Sequence, residues 1–492
     1  MPNSIVDAPS DTRPIPPRFW WLKRIGVAVG VLLVALGALR WWWGWEANRR
    51  FQERIAHYRA LGQPVLLEDF RKPAVPDEQN AAHFLRKAAA AVTVPDSVTL
   101  TFNDILTDPR LCRQHPREAR DLFEANREAL RLARQARARS AVDWNIRIAS
   151  PVFNILLPHL SGQRTLSKLL CSAALYSHER RNDAEAIEIL RDILRCSDAV
   201  AQDSALLISH LVSLAISAIA ANGVENLAPT LRVDAVSSRL ASPGGIAGRA
   251  QVRALIAELL DERPSRAAAL RAFYWERMAQ LDTVQWLYLG PLGQTPWPLR
   301  FAFGPAWLLD AIDMMDRATP FAEASQAPNW PAAKVLFPTE PEYDSGFDRL
   351  VESMSSILRP AQERSIETCF RAQTKRRMAA TALAIRLFEL DHGRRPERLS
   401  ELVPEYLPAL PGDPFADAGG TLVYRPDRPS PILYSVGPDG KDDRGAYTIE
   451  EDGSLGPKRA DLLFFLNGDR PRPMSDFESN RLREAPDNDD DK

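Results

Sequence analysis

FWWLKRIGVAVGVLLVALGALRWWWGW, residues 19–45, is the stretch on which the architecture turns. Ile25 to Leu39 run fifteen positions without a charge, bounded by Lys23 and Arg24 on one side and Arg40 on the other. A helix of that length spans roughly 22 Å against a hydrocarbon core of about 30 Å, so its flanks must contribute. They do, because Trp20, Trp21, Trp41, Trp42, Trp43 and Trp45, six of the twelve tryptophans, stand where amphipathic rings favour the headgroup level. The flanking basic side chains lengthen the span by snorkelling. The segment reads as a transmembrane anchor over 23–45, behind an N-terminal tail at 1–22. A cleaved signal peptide is the competing reading, since Ala35 to Gly37 offers a small-x-small site, but the tryptophans beyond it suit a retained anchor better. Arg13, Arg18, Lys23 and Arg24 balance Arg40, Arg49, Arg50 and Arg54, so flanking charge does not choose an orientation.

Outside the anchor, 492 residues at 45% apolar and 26% charged imply more than one folded unit. Lys plus Arg total 62 against 64 acids, which leaves no net field for nucleic acid, and no nucleic-acid partner is expected. Cys112, Cys171, Cys196 and Cys369 lack metal or disulfide-scaffold spacing and read as small buried hydrophobes. Nothing between Asp203 and Glu225 is charged, long enough for a second span, yet Ser209, Ser213 and Ser217 recur at four-residue spacing. A buried helix of a bundle fits that stripe better, with His210 a core histidine beside Leu206 and Leu214.

The fold expected is mostly α. A charged juxtamembrane helix and linker occupy 46–75, ending in Gly62, Pro64, Pro73 and Pro76, and a helical domain occupies 76–346. Arg117 to Arg139 reads as one helix, and Thr165 to Ala199 as two apolar stripes broken at Arg180 to Asp183, an αα-hairpin with Asp183 as N-cap. Ala174, Tyr176, Asp183, Ala184 and Ala186 resemble half of a tetratricopeptide repeat, although no 34-residue period is sustained, so a plain helical bundle stands slightly ahead. Helices at Ala247 to Leu260 and Arg266 to Leu281 flank Pro264, and Pro243, Gly244, Gly245 and Gly248 form a connector. From Trp286 to Phe347 the Pro- and aromatic-rich chain reads as an irregular packed cap. A helix from Pro360 to about Leu390 then opens a small α+β module at 347–460, with strands at Thr421 to Arg425 and Ile432 to Val436. The residues from Asp461 to Lys492 read as a disordered tail.

Three phrases in that module, Asp391-His392-Gly393-Arg394-Arg395-Pro396, Leu410-Pro411-Gly412-Asp413-Pro414-Phe415 and Tyr434-Ser435-Val436-Gly437-Pro438-Asp439-Gly440, resemble the globular half of the type II secretion major pseudopilins. The resemblance implies a calcium loop with Val436, Asp439 and Asp442 as ligands and Asp443 adjacent, on a turn of clustered oxygens that a hard cation favours. The loop from Asp439 to Asp442 is shorter than in that family, and the leader and membrane-helix start of a pseudopilin are not found around Arg24 to Leu39. The whole arrangement, with Gly62 to Phe70 and Asn80-Ala81-Ala82, resembles a group of planctomycete-like bacterial membrane proteins. That likeness implies an anchor in the bacterial inner membrane with the bulk of the chain periplasmic.

The seven histidines are dispersed, and no H-E-x-x-H, G-x-S-x-G, Walker or Rossmann pattern is present. The leading expectation is a non-enzymatic envelope component that binds other envelope proteins. The alternatives are an accessory component of a type II secretion or pilus-like system and an enzyme with a site in the Trp-rich stretch.

Overall fold

The computed structural model describes residues 19–203, 206–234, 245–286, 295–338, 354–451, 453, 455–456 and 461–472. The connector at Pro243 and Gly244, the ends at 1–18 and 473–492, and much of the Trp-rich stretch (287–294, 339–347) lie outside these. The chain is mostly helical with one small sheet. In order the helices are α1 (Trp20–Ala60), α2 (Ala81–Ala90), α3 (Phe102–Thr107), α4 (Pro116–Ala125), α5 (Arg127–Arg137), α6 (His159–Glu179), α7 (Asp183–Gln202), α8 (Leu207–Leu227), α9 (Arg249–Leu260), α10 (Arg263–Val284), α11 (Trp297–Ala324), α12 (Trp330–Val335) and α13 (Met354–His392).

The apolar run forms the first half of α1, which is exposed along that run and is long and apolar enough to cross a bilayer. The helix does not stop there. Ala47, Phe51, Ile55 and Tyr58, spaced four, four and three, are buried against Leu281 and Val284 of α10 and Ala311, Met314 and Met315 of α11. The charged helix expected after the anchor is thus the second half of α1 and packs on the body, its Glu46, Arg49, Arg50 and Glu53 paired among themselves, while residues 71–74 are exposed. Gly62, at φ 72°, supplies the left-handed residue that ends α1. The buried Arg277 of α10 then fastens the following turn, donating to Gln63 Oε1 and the Pro64 carbonyl, each at 2.9 Å.

α6 and α7 form the expected antiparallel pair. Their cap is Asn182, whose Oδ1 accepts from the Glu185 amide at 3.3 Å, and Asp183 sits one residue inside. In a solenoid each hairpin touches only its neighbours. Here α8 returns against both α6 and α7, and α13, far downstream, packs on α8 and α9, so the body is a bundle. α8 is its buried centre. Ser209, Ser213 and Ser217 are all buried there, and Arg376 of α13 reaches Ser217 while capping the end of α9 through the Leu259 and Asp261 carbonyls at 2.9 and 3.1 Å. His210 is fully buried 3.5 Å from Cys369 Sγ, and burial pushes its imidazole down to about 4.

Three readings shift. Arg117 to Arg139 is two helices, because buried Asn126 takes the Thr93 amide and donates to the Thr93 and Leu122 carbonyls, which ends the first. The Pro-rich stretch contains one 28-residue helix, α11, running through Pro305 and Pro320 on the strength of its packing with α1 and α10. Pro264 and Pro360 likewise stand within α10 and α13, the former in the first turn where proline is tolerated.

The sheet is antiparallel in the order β1 (Val423–Arg425), β2 (Ile432–Ser435), β3 (Leu462–Phe465). β3 comes from the segment expected to be tail. Its four apolar residues are completed only by pairing Ile432 with Phe465 and Tyr434 with Leu463. Leu422, Leu433, Phe464 and Leu466 belong to the same core as α2 and α5 to α9, while Ile432, Tyr434 and Phe465 pack a small separate cluster on the other face of the sheet.

Candidate functional site

The bundle opens on one side into a cleft of about 780 Å³ between the end of α2, the start of α6 and the irregular segment joining α5 to α6. Asn80 begins that segment's path. Its amide exchanges hydrogen bonds with the Asp143 backbone at 2.8 and 2.9 Å, and Asn145 follows at φ 51°. Trp144 is then locked in place by its amide on Asp203 at 2.8 Å and its indole on the Ala199 carbonyl at 2.9 Å. Further on, the Val152 amide donates to Asp282 at 2.7 Å, which holds the outer wall against α10. At the back, a Cβ on Gly162 would come within 3.3 Å of Ala89, so glycine permits the close approach of α6 to α2 that floors the cleft.

The lining chemistry is one-sided. Ala89, Ala90, Ile146, Ile155 and Leu156 give an apolar bed, the His159 ring stacks on Trp144 at 4.4 Å and 15°, and Arg86 and Arg147 are its charged groups. Among the described residues no carboxylate lines it. Burial pushes His159 down to about 4, Arg86 adding to the effect and Asp203 opposing it, so the imidazole is neutral near pH 7. Gln163 donates to the Leu85 carbonyl at 2.9 Å while its buried Oε1 has no hydrogen-bond partner. Among the described lining groups the charge is thus positive, carried by Arg86 and Arg147, beside a neutral stacked imidazole.

A second groove, about 560 Å³, runs along α4 to α7 past Phe123 and Tyr176. Its guanidiniums are already matched. Arg134 pairs with Asp192 and Glu185 at 2.6 and 2.9 Å, and Arg131 with Glu128. Elsewhere Asp183, His178 and Thr230 line up as carboxylate, imidazole and hydroxyl, His178 Nε2 lying 2.9 Å from Thr230 Oγ1. Arg232 takes the other Asp183 oxygen at 2.7 Å. The group joins the end of α6, the start of α7 and the turn after α8, and it reads as a buried tie.

No family model, curated protein or solved structure matches this chain.

The residues singled out for calcium lie on the turn after β2. Val436 donates its amide to Asp413 at 3.0 Å, Asp439 Oδ1 accepts from the Lys441 amide at 3.1 Å, and Asp442 Oδ1 accepts from Tyr434 Oη and the Arg444 amide at 2.9 and 2.7 Å. Among the described residues no group of three or more His, Cys, Asp or Glu side chains is placed to hold a metal. The structure adds one residue here. Asp461, at the head of β3, accepts the Gly445 amide at 2.8 Å through Oδ2, while Oδ1 is buried without a hydrogen-bond partner. Burial raises its carboxyl above the usual range, against the backbone amides of Gly445 and Asp443, which lower it, and with the charges of Asp443 and Asp442, which add to the rise. Sequence reasoning missed it by placing Asp461 in the tail.

The three resembling phrases each take part in the packing. Asp391 is held by Arg249 and by Tyr406 Oη at 2.7 Å, and Asp413 accepts from Ser435 Oγ at 2.7 Å and from the Phe415 amide at 2.9 Å, joining the second phrase to the third. Trp330 of α12 bridges both, through its amide to Pro414 and its indole to Pro438 at 2.9 Å. The cleft itself was not anticipated. Its only signal was a run with no helical period, Trp144 to Pro158, punctuated by two prolines and a tryptophan.

Proposed function

We propose that this chain is an anchored envelope protein, α1 crossing the bacterial inner membrane and the body lying on the periplasmic side, and that the Trp144–His159 cleft holds an acidic stretch of another envelope protein. The observation that carries the reading is an open, apolar-floored cleft whose charged lining groups among the described residues are both basic, Arg86 and Arg147. Binding of a fluorescent glutamate-rich peptide to the full chain is expected to weaken several-fold in Arg86→Glu with Arg147→Glu and to weaken with salt. Equal binding by the double variant, or by a scrambled neutral peptide, would count against the cleft. A photoreactive side chain at Leu156, which is 83% exposed, identifies the natural occupant. Recovery of pseudopilins there would select the second reading, an accessory component of a type II secretion or pilus-like system, which the Asp413 junction between the resembling phrases favours.

The same reading includes Ca2+ at the Asp439 loop, where the buried Asp461 carboxyl feels the charges of Asp442 and Asp443 on the acidic turn. Titrating Ca2+ into the full chain is expected to raise its melting temperature, and Asp439→Ala to remove the shift. No shift at millimolar Ca2+ retires the site.

A further inference from the structure

α11 begins in an unusual setting. Pro296, Trp297, Pro298, Leu299, Phe301, Ala302 and Phe303 are all exposed, Trp297 to 75%, and Arg300 is the one charge among them. Beyond Phe303 the same helix is an ordinary core element, with Pro305, Ala311, Met314 and Met315 buried.

Its position relative to α1 gives that apolar tip a place. Arg40, the residue that closes the apolar run, donates to the Phe301 carbonyl and lies 4.9 Å over the Phe301 ring. A Cβ on Gly44 would stand 3.9 Å from Pro305, and Arg54 and Tyr58 both reach Asp316. The partners advance together, 40 with 301, 44 with 305, 54 with 316, so the two helices run parallel at a constant offset. Trp297 therefore lies about 6 Å beyond Phe301 toward the bare half of α1, level with its last apolar turns. The backbone suits lipid as well. Pro296 and Pro298 have no N–H, and the Leu299 and Arg300 amides both bond to the Pro296 carbonyl at 3.0 and 3.1 Å, which leaves few bare donors at this end.

We infer that the first two turns of α11 form a second membrane contact, with Trp297, Leu299, Phe301 and Phe303 seated in the headgroup and upper acyl layer of the bilayer that α1 crosses. The occupant of this apolar tip is lipid. It rests on the reading of α1 as a membrane span, and continuity with that span is what selects lipid over a protein partner. Exposed apolar area of this kind, like that of the exposed Trp41, Trp42 and Trp45, is stabilising only out of water.

Single cysteines for a nitroxide label test it in the full chain, because the four native cysteines are buried. Trp297→Cys and Phe303→Cys report the tip, Leu33→Cys the anchor, and Leu156→Cys the water-facing body. In phosphatidylcholine and phosphatidylglycerol vesicles, the ratio of oxygen to water-soluble nickel accessibility is expected to be several-fold higher at 297 and 303 than at 156, approaching that at 33. If 33 is in lipid while 297 and 303 match 156, the inference is overturned and the anchor stands. If 33 also matches 156, both are overturned.

Discussion

Glu225→Ala is expected to lower the unfolding free energy by about 3–5 kcal/mol, the range for removing one partner of a buried charge network. Glu225 is 3% exposed on α8, and its carboxylate accepts the Phe465 amide at 2.6 Å and Arg470 at 2.8 and 3.0 Å. Removing it leaves a buried amide and a guanidinium without their acceptor, at the joint between the bundle and the last strand. Denaturant melts measure the loss, and amide exchange at Leu462 to Phe465 should accelerate with it. Adding Arg470→Ala to the variant should cost less than the sum of the two single changes, since the pair acts as one unit. A loss below about 0.5 kcal/mol, the level of an ordinary surface change, would mean that the joint is held elsewhere.

The second large effect is expected at the other end of the chain. Leu33→Arg places a charge mid-way along an apolar run of fifteen residues, at a cost of about 2.5–3.5 kcal/mol for insertion. Because Leu33 packs against nothing in the body, the circular dichroism of the detergent-solubilised chain should be unchanged while flotation with vesicles falls. Leu33→Ala should float like the parent. A parent chain that washes off membranes at high pH would end the reading of α1 as an anchor.

What could be read in advance was whatever rests on local pattern. The tryptophan-bracketed run, the paired stripes of Leu166 to Ala174 and Ala186 to Leu194, and the serine stripe of α8 each state their surroundings within a turn or two of helix. What could not be read depends on partners far away in the chain. α11 continues through Pro305 because α1 and α10 hold it, and Leu462 to Phe465 is a strand only when Ile432 to Ser435 lies beside it. Ala47, Phe51, Ile55 and Tyr58 form a regular stripe, but the charges between them drew attention to the solvated face. The cleft was the least legible element, since Arg86, Trp144 and His159 come from two helices and a loop and share no local pattern. On the turn after β2, the phrases placed Asp439 and Asp442 on one loop, whereas Asp461 reaches that loop only through the third strand.

One property of α1 carries further than its packing. It is a single helix from Trp20 to Ala60, about 60 Å long at the usual rise, with no break between the exposed apolar half and the half built into the body. A flexible tether would let a tethered domain sweep a hemisphere and meet partners at many heights. With α1 inserted as proposed, this shaft permits no such sweep, and a ligand displayed by a neighbour must arrive at one altitude and one bearing. Recognition then becomes a two-dimensional search in which geometry excludes mismatched neighbours before any side chain is touched.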